Sequence, residues 1–143
     1  MKWILWFAIA ALLVSAILLL PVSGRAQLPT VTLDWTAPGD DGNVGTATTY
    51  QMRYSTTRPD TTLVSAMDSW WGSATSVLSL PVPLVSGTPQ SVTVPGPFAA
   101  GSTYYFVLRA ADEVPNWSGY SNVAVKAVPD VLPPSRVINL IVR

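Results

Sequence analysis

The sequence predicts an all-β sandwich, and three observations carry that reading. Apolar and polar residues alternate in short runs, Pro and Gly clusters punctuate the runs, and beyond the N-terminal segment no stretch sustains a helical period. Charged residues make up 11% of the 143, aromatics 10%, with 13 Pro and 9 Gly, a composition that suits a β-rich globular domain and not a disordered tail.

The elements follow in order. Val31, Leu33 and Trp35 alternate with Thr32, Asp34 and Thr36, the period of a half-buried strand, and Pro38-Gly39-Asp40-Asp41-Gly42 stops it with turn chemistry. Tyr50, Met52 and Tyr54 alternate with Gln51, Arg53 and Ser55, ended by Arg58-Pro59-Asp60. Residues 76–80 form a short third candidate before Pro81 and Pro83, and residues 91–94 a fourth before Pro95-Gly96-Pro97. Tyr104, Phe106, Leu108 and Ala110 alternate with Tyr105, Val107 and Arg109, the clearest strand of the chain, and residues 122–126 make a further one. A single helical turn within residues 63–70 is the most helix the mature chain predicts.

Residues 1–26 carry the layout of a secretory signal peptide. Lys2 supplies a positive charge, residues 3–20 hold Ser15 as their only polar residue, and Pro21 then breaks the run. Gly24-Arg25-Ala26 places small residues at the −3 and −1 positions before Gln27. An uncleaved anchor is the rival, because eighteen apolar residues just span a bilayer; membrane contact is expected only through that segment. Cleavage leaves 117 residues with 8 acids and 6 bases, a net charge of −2 that gives no drive toward nucleic acid. The absence of Cys and His excludes a disulfide framework, thiol catalysis, Cys/His zinc sites and a Ser-His-Asp triad.

At this point the chain resembles the fibronectin type III family, of the kind found in bacterial secreted proteins. Trp35 matches that family's core tryptophan, and Phe98-Ala99-Ala100-Gly101-Ser102-Thr103-Tyr104 matches its Leu-x-Pro-Gly-Thr-x-Tyr corner, with Phe and Ala in place of Leu and Pro. The stretches from Trp35 to Gly42 and from Ala110 to Ser118 look like the bacterial subtype's loops. The likeness covers about residues 30–128. It implies an immunoglobulin-like β-sandwich, with Tyr104 as the corner tyrosine bonding back to the backbone upstream. Trp35 and Tyr104 are then both expected in the core, and Trp35→Ala is expected to cost about 3–5 kcal/mol.

The departures lie at the two ends. A complete member opens with a strand A, but only Gln27-Leu28-Pro29-Thr30 precedes Val31 here, and Pro29 cannot donate to a ladder. The domain organisation is therefore a signal peptide at 1–26, a sandwich lacking its own strand A at 27–128, and a linker plus strand-A-like tail at 129–143. In the tail Val137, Ile138, Leu140, Ile141 and Val142 read as a donor strand, and Val31 and Leu33 as the edge it would join. Val137, Leu140 and Val142, or the opposite set with Ile138 and Ile141, would fill a neighbour's core edge; Ile141 beside Val142 breaks strict alternation and calls for a bulge or burial on both faces. Insertion into the next subunit repeats head to tail and makes a filament. Two other readings stay open: the chain is a piece of a larger multidomain exported protein, or the tail has no partner.

Three groups remain as site candidates. Asp40, Asp41, Asp112 and Glu113 sit in two loops that such a fold brings to one pole, where four carboxylates could take Ca²⁺, though Asp-Gly turns use the same residues for loop geometry. No other cofactor is expected. The same acids are the only general acid/base pair available, and nothing in the sequence builds a pocket around them, so no enzyme is expected. Trp70, Trp71 and Trp117 could form an aromatic platform for sugars, against the plainer reading that they pack. The sequence thus points to a secreted, non-catalytic β-sandwich with a structural or adhesive role outside the cell. Its partner would be itself or an extracellular surface; the competing function is a carbohydrate-binding accessory module.

Overall fold

A computed structural model describes residues 29–114, 116–130, 134–138 and 140–142. The signal segment expected at 1–26 lies outside the described residues, as do linker residues 131–133. The elements are β1 (Thr30–Thr36), β2 (Thr49–Ser55), α1 (Val64–Ser73), β3 (Thr75–Ser76), β4 (Pro89–Pro95), β5 (Thr103–Ala111) and β6 (Ala124–Ala127). Among the described residues no helix is long and apolar enough to cross a membrane.

The strands form two antiparallel sheets, one of β1 and β4, the other in the order β3-β2-β5-β6. β1 and β4 pair along their whole length, from Thr30 opposite Pro95 to Thr36 opposite Pro89. β2 and β5 do the same from Thr49 opposite Ala111 to Ser55 opposite Tyr105. The period-two pattern explains the packing. Val31 and Val94 of the smaller sheet meet Met52, Tyr104 and Phe106 of the larger, with Val77, Phe98 and Val128 closing the core. Phe98 stands edge-on to Tyr104, Phe106 and Tyr54. The Ala99 N–H donates to the Tyr104 hydroxyl at 2.8 Å, pinning the corner before β5.

Three expectations need correction. The single helical turn is a ten-residue helix, because Met67, Trp70, Trp71 and Ala74 stand three and four apart and bury one stripe on the outer face of β5. Covered on both sides, β5 buries Val107 as deeply as Phe106, at 1% and 2% exposure. The third strand shrinks to Thr75–Ser76, and the rest of that segment is irregular. The last strand begins at Ala124 and not at Asn122. Ahead of it, Ser118 and Ser121 run beside Ala110 and Leu108, so three residues match two, the count of a bulge. Their hydroxyls accept the Ala110 and Leu108 N–H groups at 3.0 Å each, restoring bonds that the bulge removes from the ladder.

Candidate functional site

Every strand edge in a sandwich offers unpaired N–H and C=O groups, and native proteins blunt such edges with prolines, charges or short strands. Among the described residues, three of the four edges are blunted. β4 has Pro89 and Pro95 at its ends, β3 is two residues long, and β6 is four residues long and carries Lys126. The free edge of β1 is different: seven residues, Thr-Val-Thr-Leu-Asp-Trp-Thr, with no Pro, no Lys and no partner strand among the described residues beyond β4.

Beside that edge the core is open. Val31 is buried, but Leu33 and Trp35 on the same inward row are only half-buried, which corrects the expectation of a core Trp35. A cleft of about 90 Å³ runs between Leu33 and Trp35 on one side and Met52, Phe106, Leu108 and Ala124 on the other. It adjoins a more open recess of about 350 Å³ between Trp35 and the 118–122 segment. Trp35 packs edge-on against Tyr50 with ring centroids 5.4 Å apart, and its indole N–H is buried with no hydrogen-bond partner among the described residues.

The tail is the complement of that edge. Val137, Ile138, Leu140, Ile141 and Val142 are between 72% and 101% exposed and belong to no strand. Val128, where the tail leaves the body, is buried and held twice: its N–H donates to Ser102 and its carbonyl accepts from Gly101, at 2.8 and 2.9 Å.

The three tryptophans gather on the outer face of the larger sheet, but as packing. Trp70 and Trp71 are 6% and 5% exposed, so neither offers a ring face to a sugar. The Trp70 indole N–H donates to the Thr57 carbonyl at 2.7 Å. The Arg109 guanidinium lies 4.7 Å from the Trp71 ring and 4.2 Å from that of Trp117, and Gln51 fixes it with two bonds to one oxygen. Arg53 stacks on Trp71 as well and donates to its carbonyl. Burial first, and then its bond to Asp68, pushes the Tyr120 hydroxyl above the usual tyrosine range. Sequence reasoning missed this layered stack: Arg109 was legible as an outward residue of its strand, but it is sandwiched between Trp71 of a helix far back in the chain and Trp117 of the loop that follows its own strand.

The acidic loops do meet at one pole. Partial burial of the Asp40 carboxyl, followed by the neighbouring charge of Glu113 and then those of Asp41 and Asp112, raises its pKa. Asp112 goes the other way, because it accepts from the Asn116 backbone and side-chain N–H groups at 2.7 Å each. Its carboxyl is thus used in closing its own loop. Among the described residues no group of three or more acids, His or Cys is arranged to hold a metal ion.

Among the described residues, fold and site together define an antiparallel two-sheet β-protein with one unprotected edge and an exposed apolar tail. Compared with family models, with curated proteins and with solved structures, the chain finds no match.

Proposed function

We propose that the chain is an exported, non-catalytic β-sandwich of the fibronectin type III kind with a structural or adhesive role, whose subunits join head to tail by donating the 134–142 tail to the free β1 edge of the next copy. The observation that carries this reading is the pairing of opposites among the described residues: a seven-residue edge with no partner strand there, beside half-buried Leu33 and Trp35, and five exposed apolar residues without a strand. Strand addition satisfies both at once, through main-chain bonds along β1 and apolar burial in the cleft. The lack of His and Cys supports a non-catalytic role, even though Asp40 and Asp112 line a recess of about 280 Å³.

The test is electron microscopy of the exported chain beside a version lacking residues 134–143. Filaments from the first and single particles from the second are expected, with the tail returned as a separate peptide raising the Tm of the shortened chain. A full chain that stays monomeric with a protease-sensitive tail would overturn strand donation and favour a module within a longer protein.

A further inference from the structure

Resting on that reading, the geometry points to one register for the donated strand. We propose that the tail of a second copy lies antiparallel to β1, the direction of every strand pair among the described residues and the more stable one per residue, with Ile138 opposite Trp35, Leu140 opposite Leu33 and Val142 opposite Val31. An extended segment shows alternate residues on one face, so Ile138, Leu140 and Val142 form one apolar row and Val137 and Ile141 belong to the other. β1 presents an inward row at the same spacing, Val31, Leu33 and Trp35, of which the last two are half-buried. Matching three to three covers both. A slip of one residue turns the tail's row of three toward solvent, and a slip of two either leaves Trp35 without an apolar opposite or carries Ile138 past Thr36, the end of β1. In this register Leu140 meets the 90 Å³ cleft, where Leu33, Met52, Phe106, Leu108 and Ala124 supply apolar wall beside the polar Asp34, Ser121 and Asn122. Ile138 covers Trp35. The proposed row differs from the two sets that the sequence suggested and needs no bulge between Ile141 and Val142.

The direction of the strand selects a second copy as its source. Thr30 at the start of β1 lies opposite Pro95, Thr103 at the start of β5 lies opposite Ala127, and the short 96–102 connection joins the two pairs at one pole. The tail leaves from that pole, at Val128. Entering its own edge directly, it would meet Thr30 first and run parallel to β1. To run antiparallel it must first travel the length of β1, about 23 Å. Residues 129–136 reach about 28 Å fully extended, which leaves little more than one residue for the reversal. A neighbour's tail arrives from the opposite pole and meets no such limit.

The chain contains no Cys, so cross-linking reads the register directly. In the proposed pairing the outward residues Thr32 and Ile141 stand opposite each other, as do Thr36 and Val137. The exported chain carrying Thr32→Cys and Ile141→Cys, oxidised mildly and run without reductant, is expected to give a ladder of covalent multimers that collapses on reduction. Mixing the two single-cysteine variants is expected to give a heterodimer band, which guards against misfolding of the double variant. The pairs Asp34→Cys with Ile141→Cys and Asp34→Cys with Val137→Cys are offset by two residues in either direction. They are expected to cross-link at least about tenfold less, since diagonal neighbours roughly 7–8 Å apart lie beyond disulfide reach. A stronger ladder from an offset pair, with filaments intact, overturns the register and leaves strand donation standing. A fast-migrating monomer with an internal disulfide overturns both, because it places the tail in its own edge. No cross-link from any pair, in material that forms no filaments, also overturns both.

Discussion

Val107 of β5 and Leu33 of β1 are both aliphatic residues on strands, yet Val107 is 1% exposed while Leu33 is half-buried with a cleft beside it. The difference lies in what the chain sends to cover each. Between β2 and β3 it spends residues 56–74 on a loop and α1, which seats Met67, Trp70 and Trp71 over Val107, and it adds Arg109, Trp117 and Tyr120 as a stacked second cover. Toward the free edge of β1 the described residues send nothing. A sandwich can thus be finished on one flank and left unfinished on another, and the unfinished flank is where a partner gains most by binding. Burial there removes apolar surface from water and pairs backbone groups in the same step.

Five changes would break or sharpen this contrast. The largest effect is expected for Trp71→Ala, which empties a buried site among Val107, Tyr120 and two guanidinium groups; a loss of about 3–5 kcal/mol in denaturant melts, independent of protein concentration, is the expected result. Trp35→Ala is expected to cost less, about 1–3 kcal/mol in the chain lacking residues 134–143, because Trp35 is only half-buried there. In the full chain its cost should grow with protein concentration, and equal costs in both chains would remove the open flank from the account. Arg109→Lys keeps the charge and loses the planar stack between Trp71 and Trp117; a loss of about 1 kcal/mol, without any change in assembly, is expected from thermal melts.

The smallest effect depends on pH. The pKa of Asp40 is raised in the folded state, so its contribution favours folding below the unfolded-state value and is lost as pH rises through the folded one. Asp40→Asn should therefore raise Tm at neutral pH, with the gain closing once pH falls below the ordinary carboxylate range. Asp112 is held low by the Asn116 bonds, so its contribution is present above the unfolded-state value and lost as pH falls through the folded one. Asp112→Ala should lower Tm at neutral pH, with the loss shrinking in acid. Thermal melts across pH that move both variants the same way would sink the assignment of opposite roles.

Much of the fold was legible because strand periodicity is local. The alternation of Val31, Leu33 and Trp35, and of Tyr104, Phe106 and Leu108, placed strands within one or two residues of β1 and β5. The helix was legible too, in the spacing of Met67, Trp70, Trp71 and Ala74, but Gly72 and a string of small polar residues masked it, and tertiary burial against Val107 outweighed the weak propensity. The half-exposure of Trp35 was not legible, because its cover depends on which strand lies beside β1 and not on its own neighbours in sequence. Nor was the network around Gln90, whose amide accepts from the Tyr50 hydroxyl at 2.7 Å and from the Leu84 N–H at 3.1 Å, and donates to Val82. Those partners come from a strand and a proline-rich loop that only the folded chain brings together.

Val128 gives the molecule a mechanical property. A pull on the tail reaches its two backbone bonds to Gly101 and Ser102 before any β6 ladder bond bears load. Those residues belong to the corner that the Ala99 to Tyr104 bond locks against the core. Force therefore passes into the interior of the sandwich and does not unzip β6 from its end one bond at a time. Tyr104→Phe, which leaves the ring packing and removes that lock, should lower the rupture force in single-molecule stretching more than it lowers the melting temperature.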